Sequence, residues 1–428
     1  MGGIVRPTES KQLTESPSRL FDPACHDRLT SDRELQPCSL ANVSRGQGWS
    51  VAGLFAGIGG VELGLQRAGM QSELLCEWWE PAQAVLKHHF AEVPLVGDVR
   101  DIDKLPSVDL VAAGFPCTDL SQAGRTSGIR GEASGLVGEV FRLLDGHRAP
   151  WVLLENVRNM LVLDGGAAMR FLVQELEERG YRWAYRLVDS RFTGVPQRRQ
   201  RVIFVATTDG DPREVLFADD AGEPQPGHYR DDVFGFYWTE GLRGLGWARD
   251  AVPTLKGGST IGIPSPPAIW NPHGSRGRKI VTPRIDETEQ MQGFDRGWTS
   301  AADSVSNRKG TRWKLVGNAV TVGVSEWVGH RLVAPGSVNA ELRLLADSAP
   351  WPLAACGANG KRWAADVSMW PLQRPYTHLG ELVDLGQAPA LSVRGSAGFL
   401  DRATRGNLRF EDGFLDDIAS HADFLAAA

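Results

Sequence analysis

Ser50-Val51-Ala52-Gly53-Leu54-Phe55-Ala56-Gly57-Ile58-Gly59-Gly60 is the stretch that decides how this chain is organised. Small and apolar residues up to Phe55 read as a buried strand. The glycines read as a tight turn, and the sequence through about Ala68 as a helix. Glycine there lets the backbone turn sharply and approach a ligand, with helix amide groups facing it. The same alternation recurs downstream. Strands are expected at Glu73-Leu74-Leu75-Cys76-Glu77, at the run ending in Ala113, at Trp151-Val152-Leu153-Leu154, and near 183–189 and 201–206. Helices are expected at about 80–90, 137–147 and 167–179. Strands alternating with helices predict a Rossmann-like α/β fold, a mostly parallel sheet with helices on both faces.

At 428 residues the chain is too long for one core. Residues 1–48, with Pro7, Pro17, Pro23 and Pro37 and no periodicity, read as a disordered arm. The cofactor-binding and catalytic domain is expected at 49–206. A smaller, loop-rich unit follows at 207–312, then a returning helix within 313–334, with helix-like spacing from about Leu315 to Leu332. A C-terminal extension, 335–428, ends in a helix at 413–427. No apolar stretch reaches the ~20 residues that cross a bilayer, and the N-terminus lacks a signal-peptide apolar region, which reads against export. Five scattered cysteines, Cys25, Cys38, Cys76, Cys117 and Cys356, fit neither a disulfide framework nor a zinc site. They suggest a reducing compartment. The net charge of −6 does not announce a nucleic-acid binder. Its distribution is more informative. Basic clusters stand at Arg191, Arg198, Arg199 and Arg201, at Arg276, Arg278, Lys279 and Arg284, and at Arg308, Lys309, Arg312 and Lys314. Each alone reads as a solvated loop. Three flanking the candidate catalytic segments suggest a phosphate-binding surface.

The turn Phe55–Gly60 departs from the dinucleotide fingerprint, because GxGxxG would need glycine where Glu62 stands. Glu77, ending the second strand, could accept ribose hydroxyls, and Trp78 could stack on an adenine. Asp98, in Gly97-Asp98-Val99, offers a carboxylate to an adenine amino group. Two such acids without a pyrophosphate loop suggest a nucleoside cofactor such as S-adenosylmethionine. Cys117, in Gly114-Phe115-Pro116-Cys117, and Glu155, in Glu155-Asn156-Val157, stand at the ends of neighbouring strands. A thiol and a carboxyl so placed suggest covalent catalysis with acid assistance.

Taken in order, these segments resemble the DNA cytosine-5 methyltransferase family. Further matches are Gly194-Val195-Pro196-Gln197-Arg198-Arg199-Gln200-Arg201, Gly317-Asn318-Ala319-Val320, and Thr282-Pro283-Arg284 with Gln292-Gly293-Phe294. The resemblance spans about residues 50–333. It implies that Cys117 adds to carbon 6 of a flipped-out cytosine and that protonated Glu155 donates to ring nitrogen 3. Asn156 would orient the loop, Arg201 would contact the base, and Arg199 would support the same site. The cofactor S-adenosylmethionine, leaving as S-adenosylhomocysteine, would be held by Phe55, Gly57, Gly59, Gly60, Glu77, Trp78, Asp98, Val99, Pro116, Leu136, Asn318 and Ala319. No metal is expected. Residues 118–135, with Gly124, Gly128, Gly131 and Gly135, suit a loop that closes over the base, and Arg125 and Arg130 could hold phosphates. One departure is Thr118, where the family usually has glutamine; altered loop closure is expected from it.

The 207–312 unit would read the DNA sequence, with Lys256-Gly257-Gly258-Ser259 and Trp270-Asn271-Pro272-His273 as candidate base-contacting loops. The extension would serve as extra DNA contact or as buttress. The implied partner is double-stranded DNA, met by a cytoplasmic, nucleoid-associated monomer that protects host DNA beside a restriction or antiphage nuclease, with no membrane involved. The rivals are a transfer RNA cytosine-5 methyltransferase, a non-catalytic DNA-binding regulator on the same fold, and an unrelated Rossmann-type enzyme.

Overall fold

The computed structural model describes residues 48–115, 135–242, 244–258, 266–308 and 310–427. The arm expected at 1–48, apart from Gly48, lies outside these residues. So do Pro116, Cys117, Thr118 and the loop expected after them, apart from Gly135.

The strand β1, Ser50–Leu54, is flanked by β2, Gln71–Cys76, and β4, Leu110–Ala113. β3, Leu95–Val96, lies beyond β2, and β5, Trp151–Val157, beyond β4. These five strands pair in parallel. β6, Arg182–Asp189, and β8, Gln200–Thr207, extend the sheet antiparallel in the order β5-β8-β6. Near-continuous apolar runs such as Leu110–Ala113, buried at every position, are what a strand covered on both faces requires. Helices Leu136–Gly146 and Ala167–Glu178 pack one face through Val140, Phe141, Leu144, Leu172 and Leu176. Helices Gly60–Arg67, Glu80–His89 and Val322–Val333 lie on the opposite side. Gly64 is glycine because a Cβ there would meet the backbone of Glu326 at 2.6 Å. The fold is Rossmann-like α/β.

The helical spacing seen from Leu315 to Leu332 resolves into two helices, Thr311–Asn318 and Val322–Val333, with extended backbone at Ala319. The break has a cause. Arg199 donates to the carbonyls of Gly317 and Ala319, and Gln292 to those of Val316 and Ala319, so these carbonyls are satisfied from outside the helix.

The smaller unit contains an antiparallel sheet of β9, Phe234–Phe236, β10, Ala248–Arg249, β12, Ala268–Trp270, and β13, Ile280–Val281, ordered β10-β9-β12-β13. β7, Gln197–Arg198, pairs separately with β11, Val252–Pro253, and so ties this unit to the chain just before β8. The C-terminal extension has two destinations. β14, Leu342–Leu344, β15, Ala354–Ala358, and β16, Lys361–Ala365, lengthen the central sheet beyond β6. Helices Val393–Arg405 and Phe414–Ala427 instead pack on the small sheet, where Phe399, Phe414 and Ile418 join Phe234, Phe236, Trp270 and Ile280 in one core.

That packing corrects two expectations. Trp270 is buried rather than presented to a base, and its indole N–H donates to Asp417 at 2.9 Å. The cluster Arg276, Arg278, Lys279 and Arg284 is engaged by the tail: Arg276 stacks over Phe424, Arg278 donates to Ala388, Lys279 pairs with Asp417, and Arg284 donates to Gln387. The acids and carbonyls that meet these cations lie more than a hundred residues away, so the local sequence left them looking free.

Phe414 is fully buried, with the rings of Phe236, Trp247, Trp270, Phe399 and Phe410 centred between 5.0 and 5.8 Å away. Phe414→Ala is expected to lower the stability of this unit by about 3–5 kcal/mol, read as an earlier urea midpoint followed by tryptophan fluorescence.

Candidate active site

A pocket of about 620 Å³ opens at the carboxyl ends of the parallel strands, where open α/β sheets hold their ligands. The turn after β1 forms its floor. Phe55 has φ 57°, a left-handed conformation uncommon outside glycine and concentrated at functional sites. Gly57 has φ 58° with open space where a Cβ would stand, and its N–H donates to Glu77 Oε2 at 2.8 Å. Glu77 Oε1 accepts from Trp79 N–H at 2.7 Å, so the same carboxylate also fixes the residue from which helix Glu80–His89 starts. Burial pushes the Glu77 carboxyl up, against the pull of those amides. Trp78 stands at the rim, 73% exposed.

The other expected residues distribute unevenly. Asp98 and Val99 line the pocket, but the Asp98 carboxylate is already paired with Arg100 at 2.6 Å, a bond that holds it below the usual carboxylate range. Leu136 lines it as the first residue of its helix, and Asn318 and Ala319 line it from the break between the two late helices. Gly59 and Gly60 do not line it. Each is glycine for packing: a Cβ at Gly59 would overlap the Phe90 ring, and one at Gly60 would stand 2.5 Å from the Val320 carbonyl. Cys76, Trp79, Ala82, Arg100 and Leu315 also line the pocket and were not anticipated. Trp79 could have been found from its place beside Glu77-Trp78. Leu315 could have been found from its place one turn before the expected Asn318, since an i, i+3 spacing puts both on one helix face.

Glu155, Asn156, Arg199 and Arg201 meet at the same mouth. β5 and β8 run antiparallel with Val157 opposite Arg201, which puts Arg201 diagonally across from Glu155. Arg201 Nε lies 2.8 Å from Glu155 Oε1, with both side chains mostly buried. Such a pair, largely out of water, is far less screened than a surface one. The Asn156 side-chain N–H donates to the Phe115 carbonyl at 3.1 Å, and its Oδ1 accepts from Val157 N–H. Asn156 therefore tethers the chain one residue before Pro116-Cys117. Arg199 is fully buried, and its Nε has no hydrogen-bond partner. It donates to the carbonyls of Leu255, Gly317 and Ala319, joining the central sheet, the small unit and the broken helix. Burial pushes this guanidinium well down, and neighbouring Arg201 adds to the effect.

Glu62, read only as a departure from a fingerprint, is the strongest surprise of the site. It is 2% exposed, its carboxylate fills the space left by Gly53, and its Oε2 has no hydrogen-bond partner. Burial is the main reason that its pKa rises to about 7, and nearby Glu77 contributes. A carboxyl raised in the folded state contributes stability that is present at low pH and lost as pH rises through its folded value. Between pH 4.5 and 8 the protein should therefore lose about 3 kcal/mol relative to Glu62→Gln. Parallel denaturant titrations of the two proteins across that range check the difference.

The residues from 49 to 231 match the family model for the C-5 cytosine-specific DNA methylases. The chain is 44% identical over 380 residues to the Type II methyltransferase M2.BsuMI of Bacillus subtilis (strain 168), covering 86% of this chain and 97% of that one. It is 33% identical over 190 residues to the Type II methyltransferase M.BanI of Aneurinibacillus aneurinilyticus, covering 43% and 44% of the two chains. With nearly the whole length of one relative matched at that identity, and the strand-end pocket assembled from the same segments, the chain belongs to the C-5 cytosine-specific DNA methylase family.

Proposed function

We propose that this DNA cytosine-5 methyltransferase works through a covalent adduct between Cys117 and a cytosine flipped out of duplex DNA, with S-adenosylmethionine as methyl donor. The observation that carries the reading is the grouping of Glu155, Arg201 and Asn156 at the pocket mouth, with Asn156 bonded to Phe115, two residues before Cys117.

The pocket suits the cofactor. Gly57 leaves a cradle that a side chain would fill, Trp78 keeps an aromatic face open, and Glu77 and Asp98 each keep lone pairs for ribose and adenine donors. Phe55, Val99, Leu136, Asn318 and Ala319 would enclose the rest. Bound there, S-adenosylmethionine supplies an electrophilic methyl group on a cationic sulfur.

Carbon 5 of cytosine is a weak nucleophile. Addition of the Cys117 thiolate to carbon 6 breaks the ring's aromaticity and makes carbon 5 enamine-like. Glu155 holds a proton at ring nitrogen 3, where charge accumulates. Arg201 fixes the Glu155 carboxyl and orients the base beside it. Asn156 sets the exit angle of the Cys117 loop. Arg199 holds the sheet, the small unit and the late helices in register and acts on the base only through that frame. After carbon 5 has taken the methyl group, its proton leaves and the thiolate departs, restoring the ring.

Similarity to two proteins named Type II methyltransferases supports a host-DNA modification role beside a companion restriction nuclease. Arg230, Arg276, Arg278, Lys279 and Arg284 of the small unit are engaged by the tail, so base reading would fall to loops near Lys256 and His273, the latter exposed just after β12.

Purified protein incubated with labelled S-adenosylmethionine and mixed-sequence duplex DNA should place label in 5-methylcytosine. Cys117→Ser should abolish transfer, and Glu155→Gln should slow it by about 10²–10⁴-fold. Label in transfer RNA alone, or full activity in Cys117→Ser, would refute the reading.

A further inference from the structure

Among the described residues, Glu62 is the one buried acid near the pocket for which the proposed chemistry has no use. It enters from helix Gly60–Arg67, directly after the turn that forms the pocket floor. It lines a small cavity of about 50 Å³ that shares Phe55, Gly57, Gly114, Glu155, Asn318 and Ala319 with the main pocket. An unpartnered carboxylate oxygen in such a place is costly, and the cavity is large enough to hold water. Among the described residues no cation pairs with it. The charged groups around it are Glu77, just after β2, and Glu155, which lines the same small cavity and pairs with Arg201; Glu326, on the helix packed at Gly64, has its carboxylate engaged by Arg67 and Arg374.

We infer that Glu62 is a positioning residue that distinguishes the charged methyl donor from its product, its carboxylate favouring a cationic sulfur in the adjoining pocket over a neutral one. The inference rests on the cofactor reading above. S-adenosylmethionine carries a fixed positive charge at sulfur and S-adenosylhomocysteine carries none. A carboxylate screened from water by protein acts on that charge through a medium of low effective dielectric. The attraction exists only while Glu62 is ionised, and burial brings its titration to about pH 7. The coupling is reciprocal. If ionisation of Glu62 tightens the donor by some factor, the donor lowers the proton affinity of Glu62 by the same factor. Binding of the donor therefore expels a proton from Glu62, and binding of the product does not. After methyl transfer the lost charge lets Glu62 reprotonate, and the product is held less tightly than the donor it replaces.

The test is titration calorimetry of the full-length protein with each ligand, at pH 6, 7 and 8, in buffers of different ionisation enthalpy. At pH 7 the donor should release more protons than the product. The ratio of donor to product affinity should rise by about three- to tenfold from pH 6 to 8, the range expected for a coupling of this kind. In Glu62→Gln the extra proton release should vanish and the ratio should become flat with pH. A ratio flat with pH in the parent protein overturns the inference without recourse to any variant. Equal proton release by both ligands, or an unchanged difference in Glu62→Gln, overturns it as well. Failure of either ligand to bind at any pH removes the cofactor reading together with it.

Discussion

The antiparallel pairing of β5 with β8 is the contact on which the site depends. Seven backbone-paired positions, from Trp151 opposite Thr207 to Val157 opposite Arg201, hold one edge of the parallel core to the strand in which the Gln197–Arg201 motif ends. Because side chains alternate across a strand, a slip of one residue would turn Arg201 to the other face of the sheet and leave Glu155 without its cation. The Glu155–Arg201 contact is therefore fixed by some fourteen residues of backbone hydrogen bonding rather than by the two side chains. That rigidity suits the role proposed for Glu155, holding a proton at one atom of a base.

A second constraint converts the sheet into a pocket. Arg199 and Gln292 take over carbonyls that a continuous helix would have satisfied internally, so the chain breaks at Ala319 and turns Asn318 towards the strand ends. The same guanidinium reaches Leu255 in the small unit. Gln197 adds to the clamp, accepting from Leu255 N–H and donating to Met291. One short motif thus fixes three segments that lie far apart in the chain. Arginine suits this position because its planar guanidinium presents several donors in fixed directions, whereas lysine presents a single mobile ammonium. The small unit depends in turn on the C-terminal helices, since a short four-stranded sheet needs an apolar layer against its buried face.

Glu62 shows where the fold gives up stability. A carboxyl lodged in the gap left by Gly53, with one oxygen unpartnered, opposes folding at neutral pH, and a neutral side chain of the same shape would not. Its neighbours are the strained Phe55 and the glycine turn of the pocket floor. Local cost concentrated beside a binding site is the pattern expected when part of the folding free energy is diverted to function.

The sequence by itself determined the α/β alternation, the glycine turn and the strand-end positions of Glu77, Asp98 and Glu155, because these follow from short-range periodicity and local spacing, and its motifs carried the resemblance to the family. It could not separate the glycines that face the pocket from Gly59 and Gly60, whose reason is Phe90 and Val320 on distant elements. It could not tell the cations free to meet a ligand from those at Arg276–Arg284, which the tail engages. Nor could it distinguish Arg201, directed at Glu155, from Arg199, two residues earlier and spent on three carbonyls. Those distinctions belong to tertiary structure for one physical reason. Whether a polar group is free depends on which partner reaches it, and here the partners arrive from segments roughly twenty to two hundred residues away through strand register and helix packing.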